Sequence, residues 1–280
     1  MNMRKPDVSN VDFVLCVAIF CILILLSSSA SAKSAEMSVS FRPENASYDS
    51  SEFRFGSLFD RDSGFLTGVA LTGSYSRNGW RISLLQRSLY GLIDYQGHNQ
   101  VFLPIQSKTN LSYSQLGLSV TYQFSNVPVY AGLAWRTRKI DRHIQATAIT
   151  QALHETLRQR EWGPVIGLTW HFTDTLYIDA RLMALATTSS TLSVDFLGSY
   201  DPGELSMPQN WDHVIDVNLI EKLSVNASLL FGMSRQSFNP SASGYLPFTR
   251  NGIPVGGGIY NYPGSTQELS IYRVGLTIYW

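Results

Sequence analysis

The last eleven residues of the chain read Ser270-Ile271-Tyr272-Arg273-Val274-Gly275-Leu276-Thr277-Ile278-Tyr279-Trp280 and alternate between two kinds of side chain. Every second position, from Tyr272 to Trp280, is apolar or aromatic, whereas the positions between them mix polar, small and apolar residues. Successive side chains of a β-strand point to opposite faces, so this period of two predicts a strand. The predicted strand has one continuous apolar face and one mixed face.

Four earlier segments repeat the pattern, at residues 116–124, 129–136, 176–183 and 223–233. No segment after residue 32 carries the roughly 20 consecutive apolar residues that a membrane-spanning helix needs. Alternating strands of this kind are typical of transmembrane β-barrels, in which lipid-facing and lumen-facing side chains alternate. The alternative is a periplasmic sandwich, in which the apolar faces of two sheets pack against each other.

Turn-forming residues divide the chain into about ten such strands. Short breaks lie at 76–79, 125–128, 173–175 and 221–222, and longer polar stretches lie at 44–63, 94–110, 144–157, 196–210 and 237–264. The two kinds of break alternate if residues 37–43 form the first strand. Backbone polar groups in hydrocarbon must all be paired, so strands that span a bilayer close into a barrel. We therefore predict an all-β fold for residues 33–280: a closed antiparallel transmembrane β-barrel of about ten strands, with short periplasmic turns and long extracellular loops.

The final strand ends on Trp280. An apolar, aromatic-ended last strand resembles the C-terminal signal of Gram-negative outer-membrane β-barrels. The resemblance implies an outer-membrane location and the barrel assembly machinery as a partner.

Residues 1–32 are predicted to be a cleaved secretory signal peptide. Arg4 and Lys5 precede an apolar run at 13–26, and the small residues 30–32 form a cleavage site. Both cysteines, Cys16 and Cys21, lie in this segment, so we expect no disulfide and no thiolate metal site in the mature chain. We expect neither a cofactor nor a metal. The 21 basic and 21 acidic residues balance, which argues against nucleic acid as a partner.

Charged residues on the mixed faces are predicted to point into the lumen. These are Arg81, Arg87, Arg136, Arg138, Glu161, His171, Asp179, Arg181, Asp216 and Arg273. A barrel of this size has a narrow interior, and buried charges must be paired. We expect a salt-bridge network that fills the lumen, with Arg81, Glu161, Asp179, Arg181, Asp216 and Arg273 at its centre. The alternative is a narrow anion-preferring pore.

A basic run predicts a lipopolysaccharide-binding site near the loop ends of two neighbouring strands. Its residues are Arg136, Arg138, Lys139, Arg142, Arg158 and Arg160. Clustered cations bind lipid phosphates through charge-assisted hydrogen bonds. The alternative is an ordinary basic rim that faces water.

Two short motifs raise the question of catalysis. Asp60-Arg61-Asp62 and Asp141-Arg142-His143 resemble, in order, the Asp-x-Asp and Asp-x-His motifs of the omptins, ten-stranded outer-membrane proteases. The resemblance implies that Asp141 and His143 activate a water, with Asp60 and Asp62 completing the site. The predicted strands place these motifs in loops one and three rather than two and four, and strand phase turns Asp141 and His143 towards lipid.

A second enzyme family shows a local similarity. Residues 60–68, followed by Tyr90, are similar to an early strand of the outer-membrane lipid A deacylase. The Asn-Asp pair of that family is missing, with Glu44-Asn45 the nearest substitute, and its His-containing segment has no clear match beyond the available His143 and His154.

These observations favour a non-enzymatic barrel with a largely occluded lumen and a structural or surface-interaction role that includes lipopolysaccharide binding. The five outer loops would carry its specificity, and the Tyr- and Gly-rich stretch at 238–264 suits adhesive contact. The alternatives are a rim hydrolase, omptin-like or deacylase-like, and then a small porin. We assign no catalytic residue.

Overall fold

The computed structural model describes residues 35–54, 57–98, 103–148, 150–240, 242–262 and 265–280. The predicted signal peptide lies outside these residues and stays a prediction. The described part of the chain contains thirteen strands: β1 (Ala35–Arg54), β2 (Ser57–Arg77), β3 (Trp80–His98), β4 (Pro104–Gln123), β5 (Val129–Ile144), β6 (Leu153–His171), β7 (Leu176–Asp195), β8 (Gly203–Ser206), β9 (Trp211–Ser224), β10 (Ala227–Phe238), β11 (Ala242–Arg250), β12 (Ile253–Tyr262) and β13 (Ser265–Tyr279). The same residues include no helix that is long and apolar enough to cross a membrane.

Ten of these strands close into an antiparallel barrel, which confirms the predicted fold. Going round the barrel, β1 to β7 follow one another and are followed by β9, β10 and β13, which pairs with β1. The seam between β1 and β13 runs from the pair Ser38 and Tyr279 to the pair Glu52 and Ser265. Every barrel strand therefore has a hydrogen-bonded neighbour on both sides.

The two ends of the barrel differ, and we call them the turn end and the loop end. The turn end holds the start of β1, the end of β13 and tight turns such as Asn78-Gly79 between β2 and β3. Both residues of that turn have positive φ, 51° and 81°, which is the conformation of a two-residue hairpin turn. At the loop end, β8 pairs with β7, and β11 and β12 form a separate hairpin within the β10–β13 connection.

The strands extend further towards the loop end than the sequence predicts. The first strand continues from the predicted 37–43 as far as Arg54, and β2 begins already at Ser57. Much of the polar stretch 44–63 is therefore strand. The stretches at 94–110 and 144–157 likewise contain the ends of β3 to β6. Backbone pairing continues past the point where the outward side chains stop being apolar.

The outer surface near the turn end is a continuous apolar band. Its outward residues match the predicted alternation: Leu133 is 56% exposed, and Leu276 and Trp280 are also exposed. Three tryptophans form a row on the outer surface of neighbouring strands. Trp135 pairs with Trp162, and Ala186 pairs with both Trp162 and Trp211. Aromatic girdles of this kind border the apolar band of membrane barrels.

Beyond the tryptophan row the two faces of the strands exchange polarity: apolar side chains now occupy inward positions. On β5, Leu133 and Trp135 face out, whereas Ile140 is fully buried inside. The buried cluster in this half includes Tyr48, Leu66, Leu89, Ile93, Leu111, Tyr113, Ile140, Leu157, Leu192, Val194 and Leu269. Leu205, Met207 and Leu246 of the β8 region and of β11 belong to it, and Phe248 packs against it. The loop-end half thus has a hydrophobic core within the barrel.

Candidate functional site

Two arginines and two carboxylates form a closed group in the middle of the lumen. Arg136 on β5 pairs in register with Glu161 on β6, and its guanidinium contacts that carboxylate and Asp212 of β9, the latter at 3.0 Å. Arg138 reaches the same two acids, with its Nη2 2.9 Å from Glu161 Oε1 and 2.7 Å from Asp212 Oδ2. Glu161 is 0% exposed. Two buried positive charges are therefore balanced by two buried negative charges.

Two further groups lie beside this cluster. Arg87 forms a bidentate pair with Glu44, at 2.6 and 3.1 Å, and donates to Gln115 at 3.1 Å. In the other group, Asp216 accepts from both Arg273 and Arg181, the latter at 3.4 Å. Two of these ion pairs join strands that are not adjacent in the sheet, β1 with β3 and β9 with β13.

The structure brings together four of the six residues of the predicted lumen network. Glu161 lies in the first group, and Arg181, Asp216 and Arg273 lie in the group around Asp216. Asp179 accepts hydrogen bonds from Tyr130 at 3.1 Å and Thr169 at 3.3 Å. Arg81 is exposed towards the turn end and donates to Ser74 at 3.5 Å.

Sequence reasoning missed two acids of the lumen groups. Glu44 falls in a stretch that was predicted to be a loop. Asp212 is not among the predicted inward residues, although it continues the inward phase of Asp216, and the structure shows Asp212 inside and its neighbour His213 exposed. The signal for Glu44 was available, because Arg42, Glu44 and Ala46 continue the inward phase of the predicted first strand.

A fourth charged group lies at the loop end, above the hydrophobic core. Arg142 contacts Asp62, and its Nη1 lies 2.7 Å from Glu155 and 3.6 Å from Glu52. Burial raises the pKa of Glu52 to about 8 against the opposing charge of Arg142. Glu52 lies near the loop end of β1, close to the outward residues Asp49 and Ser51, and so outside the membrane-spanning part. Three acids share one guanidinium here, and this makes the group sensitive to pH.

The four candidate catalytic residues do not converge. Asp62 points into the lumen, where Arg142 and the Thr109 hydroxyl, at 3.2 Å, bind its carboxylate. Asp60 accepts from the backbone N–H of His98 at 3.0 Å. Asp141 and His143 belong to the opposite phase of β5 and lie on the outside of the wall, as strand phase predicts.

Asp141 and His143 contact neighbouring residues of the outer wall instead. Asp141 accepts from Thr156 at 2.7 Å and contacts Lys139 at 2.8 Å. The His143 ring lies 6.0 Å from that of His154. The barrel wall therefore separates the two halves of the omptin-like motif, and no joint site for activating a water forms.

The predicted lipopolysaccharide site is divided by the same wall, and the six-residue prediction is corrected here. Arg136, Arg138 and Arg142 are buried in the lumen, paired with carboxylates, and cannot reach lipid outside. Lys139, Arg158 and Arg160 occupy the alternate positions and face outwards. The physical reason is the period of two along a strand, which places neighbouring basic residues on opposite faces.

Among the described residues, no cluster of three or more His, Cys, Asp or Glu side chains is arranged to hold a metal ion.

The outer-membrane protease OmpT from Escherichia coli is one solved structure that resembles this chain, with a TM-score of 0.63 over 89% of this chain and 98% of that one, at 10% identity. The fold is that of the Gram-negative outer-membrane β-barrels. The translocator domain of the autotransporter NalP from Neisseria meningitidis matches at 10% identity over 96% of this chain and 97% of that one, with a TM-score of 0.38. Neither a protein-family model nor a curated protein matches the chain.

Replacing Glu161 by Gln tests the central group. The change leaves Arg136 and Arg138 with Asp212 as their shared acid, and removing one partner of a buried ion pair costs about 3 kcal/mol. We expect the urea midpoint of the lipid-embedded barrel to fall accordingly. Glu268→Gln, which breaks the exposed pair with Arg235, is the control and should change little. Equal effects of the two variants would contradict a central role for the group.

Replacing Glu52 by Gln tests the loop-end group. Because the folded pKa of Glu52 is raised to about 8 from 4.5, its contribution to stability is fully present below pH 4.5 and is lost as the pH rises to about 8. The variant should lack this loss and be more stable than the native chain at pH 9. Unfolding curves recorded from pH 4 to 9 check this, and parallel pH profiles for the two proteins would contradict it.

Proposed function

We propose that the protein is an outer-membrane barrel, closed to conduction, which binds the phosphates of lipopolysaccharide on its outer wall and has a structural or surface-interaction role. We assign Arg158 and Arg160 to the lipid phosphates, with Lys139, which also contacts Asp141 at 2.8 Å, as the third cation beside them. The barrel supplies the anchoring surface, and its loop end supplies the contacts with other molecules.

The position of these three cations carries the proposal. Lys139 pairs in register with Arg158, and Thr137 pairs with Arg160, directly beyond the pair Trp135 and Trp162. The cations therefore sit next to the aromatic row that borders the apolar band, which is the level of lipid head groups. Arg and Lys at this level form charge-assisted hydrogen bonds with phosphate oxygens.

The pairing of the arginines on the outer wall supports the same assignment. Arg61 contacts Asp49 at 2.5 Å, and Arg235 contacts Glu268 at 2.7 Å, so both have carboxylate partners. Within the described ranges, Arg158 and Arg160 form no such ion pair, although both are exposed. Two adjacent exposed guanidinium groups without carboxylates make a site for an anionic ligand.

The packing of the lumen supports a closed barrel. The three groups of ion pairs occupy the lumen at mid-height and link strands that are not adjacent in the sheet, and the hydrophobic core fills the half above them. A pore would need water to pass through both layers. The omptin-like hydrolase loses support because its four residues lie on both sides of the wall, and the deacylase-like alternative gains no further residue.

Assembly through the last strand is also part of the proposal. Trp280 exchanges two backbone hydrogen bonds with Met37, both of 3.1 Å, so the end of β13 completes the seam at the turn end. We propose that the barrel assembly machinery recognises this strand and that the turn end faces the periplasm.

Replacing Arg158 and Arg160 together by Gln tests lipid binding. The loss of even one charge-assisted hydrogen bond costs about 1.5 kcal/mol, so affinity should fall at least roughly tenfold. The measurement is the lipopolysaccharide phosphate that co-purifies with each barrel. A matched control is the pair Arg61→Gln and Arg235→Gln, whose cations already have partners. Equal retention in both variants would remove the proposed site.

Conductance in a planar bilayer tests closure. We expect no stable current steps from the purified barrel, because ion pairs and apolar side chains occupy its lumen. A general porin inserted in the same bilayer shows that the measurement works. Regular, anion-selective steps from this protein would contradict closure and establish the small-porin alternative.

A further inference from the structure

A large cavity lies inside the barrel between the central ion pairs and the turn end. Its volume is about 1140 Å³, and its lining reaches Gly79, Asn226 and Trp280 at the turn end. Much of its wall carries hydroxyl groups, including those of Ser40, Ser119, Thr121, Ser228 and Thr277. We call this cavity the chamber. Its volume exceeds the several hundred Å³ that small-molecule pockets typically occupy.

One buried arginine of the chamber has no carboxylate partner. Arg42 is 6% exposed, its Nη2 donates to the Thr72 hydroxyl, and its Nε has no hydrogen-bond partner. Among the described residues, every other buried arginine forms at least one ion pair with a carboxylate. Burying a charge without a partner costs several kcal/mol of folding free energy, so this position favours the binding of an anion.

The surroundings of Arg42 are arranged to hold its side chain. Gly275 faces it on β13, and a Cβ atom there would lie only 2.5 Å from Arg42 Cγ. The hydroxyls of Ser40 and Ser228 also line the chamber, are buried and have no hydrogen-bond partner. The chamber therefore offers an unpaired cation next to unpaired hydroxyl groups.

The other charges around Arg42 leave a net positive charge. Its nearest carboxylates, Glu44 and Asp216, already pair with other arginines, Glu44 with Arg87 and Asp216 with both Arg181 and Arg273. Asp179 accepts from Tyr130 and Thr169 on the opposite wall. Arg81 and Lys222 lie nearer the turn end, together with Glu36.

We propose that the chamber binds a small phosphorylated polyol, which enters from the turn end. Its phosphate pairs with Arg42, and its hydroxyl groups bond with the serines and threonines of the wall. The phosphate supplies the missing charge, and the polyol bonds with wall hydroxyls such as those of Ser119 and Thr121. This site is separate from the lipid site on the outer wall.

Calorimetry with the purified full barrel tests the proposal, using glucose 6-phosphate, inorganic phosphate and glucose as probes. We expect glucose 6-phosphate to bind best and Arg42→Gln to weaken its binding at least tenfold. Arg61→Gln, an exposed arginine on the outer wall, is the control and should leave binding unchanged. A second variant, Gly117→Leu, fills the chamber without altering charge; a Cβ at Gly117 meets no atom closer than 3.8 Å, so the barrel should still fold. It should also weaken the binding of glucose 6-phosphate.

The outcomes separate the parts of the proposal. Absence of binding by all three probes, or binding that neither variant weakens, overturns it. Equal binding of inorganic phosphate and glucose 6-phosphate overturns the polyol assignment. Cysteine labelling gives an independent measurement, because Cys16 and Cys21 are the chain's own cysteines and both lie in the predicted signal peptide. Ser119→Cys should react faster with an anionic than with a cationic methanethiosulfonate, and the reverse order overturns the anion site.

Discussion

Closure of the backbone ladder between β1 and β13 is the constraint on which the rest of the structure depends. It gives every barrel strand two neighbours and encloses an interior in which side chains from non-adjacent strands meet at mid-height. A charge on an inward position at this level is buried and must find a partner on another strand. The ion pairs of Glu44 with Arg87 and of Asp216 with Arg273 are the result, and they join strands that are far apart in sequence.

The same ten strands cross two environments, and their side chains change accordingly. Near the turn end the apolar residues face outwards, as Leu133 and Leu276 do, and the interior is polar. Past the tryptophan row the outer wall of β5 and β6 is polar, and residues such as Ile140 and Leu192 form a core inside. The protein is thus a membrane barrel continued by a water-exposed barrel, with the ion pairs near the level at which one changes into the other.

The sequence predicts the membrane part well and the protruding part poorly, and the inversion explains both results. A constant apolar face marks β13 and the first half of β5, so strand number, phase and inward residues such as Arg136 and Asp216 follow from it. At residues 44–63 that face becomes polar, and the stretch resembles a loop although the ladder continues. The basic run at 136–142 reads as one continuous basic surface in the sequence. Strand phase nevertheless points Arg138 inwards and Lys139 outwards. The omptin-like resemblance joined Asp62 and His143 by spacing alone, which carries no information about the wall between them.

The length of the strands decides what another molecule would meet at the loop end. Because β1 and β2 continue as paired strands to Arg54 and Ser57, much of the polar outer wall consists of neighbouring strands held in register. Residues that touch on this wall, such as Asp49 and Arg61, come from different segments of the chain. An antibody that recognises this wall would bind a discontinuous epitope, and a linear peptide copied from one strand would be a poor immunogen against the folded protein.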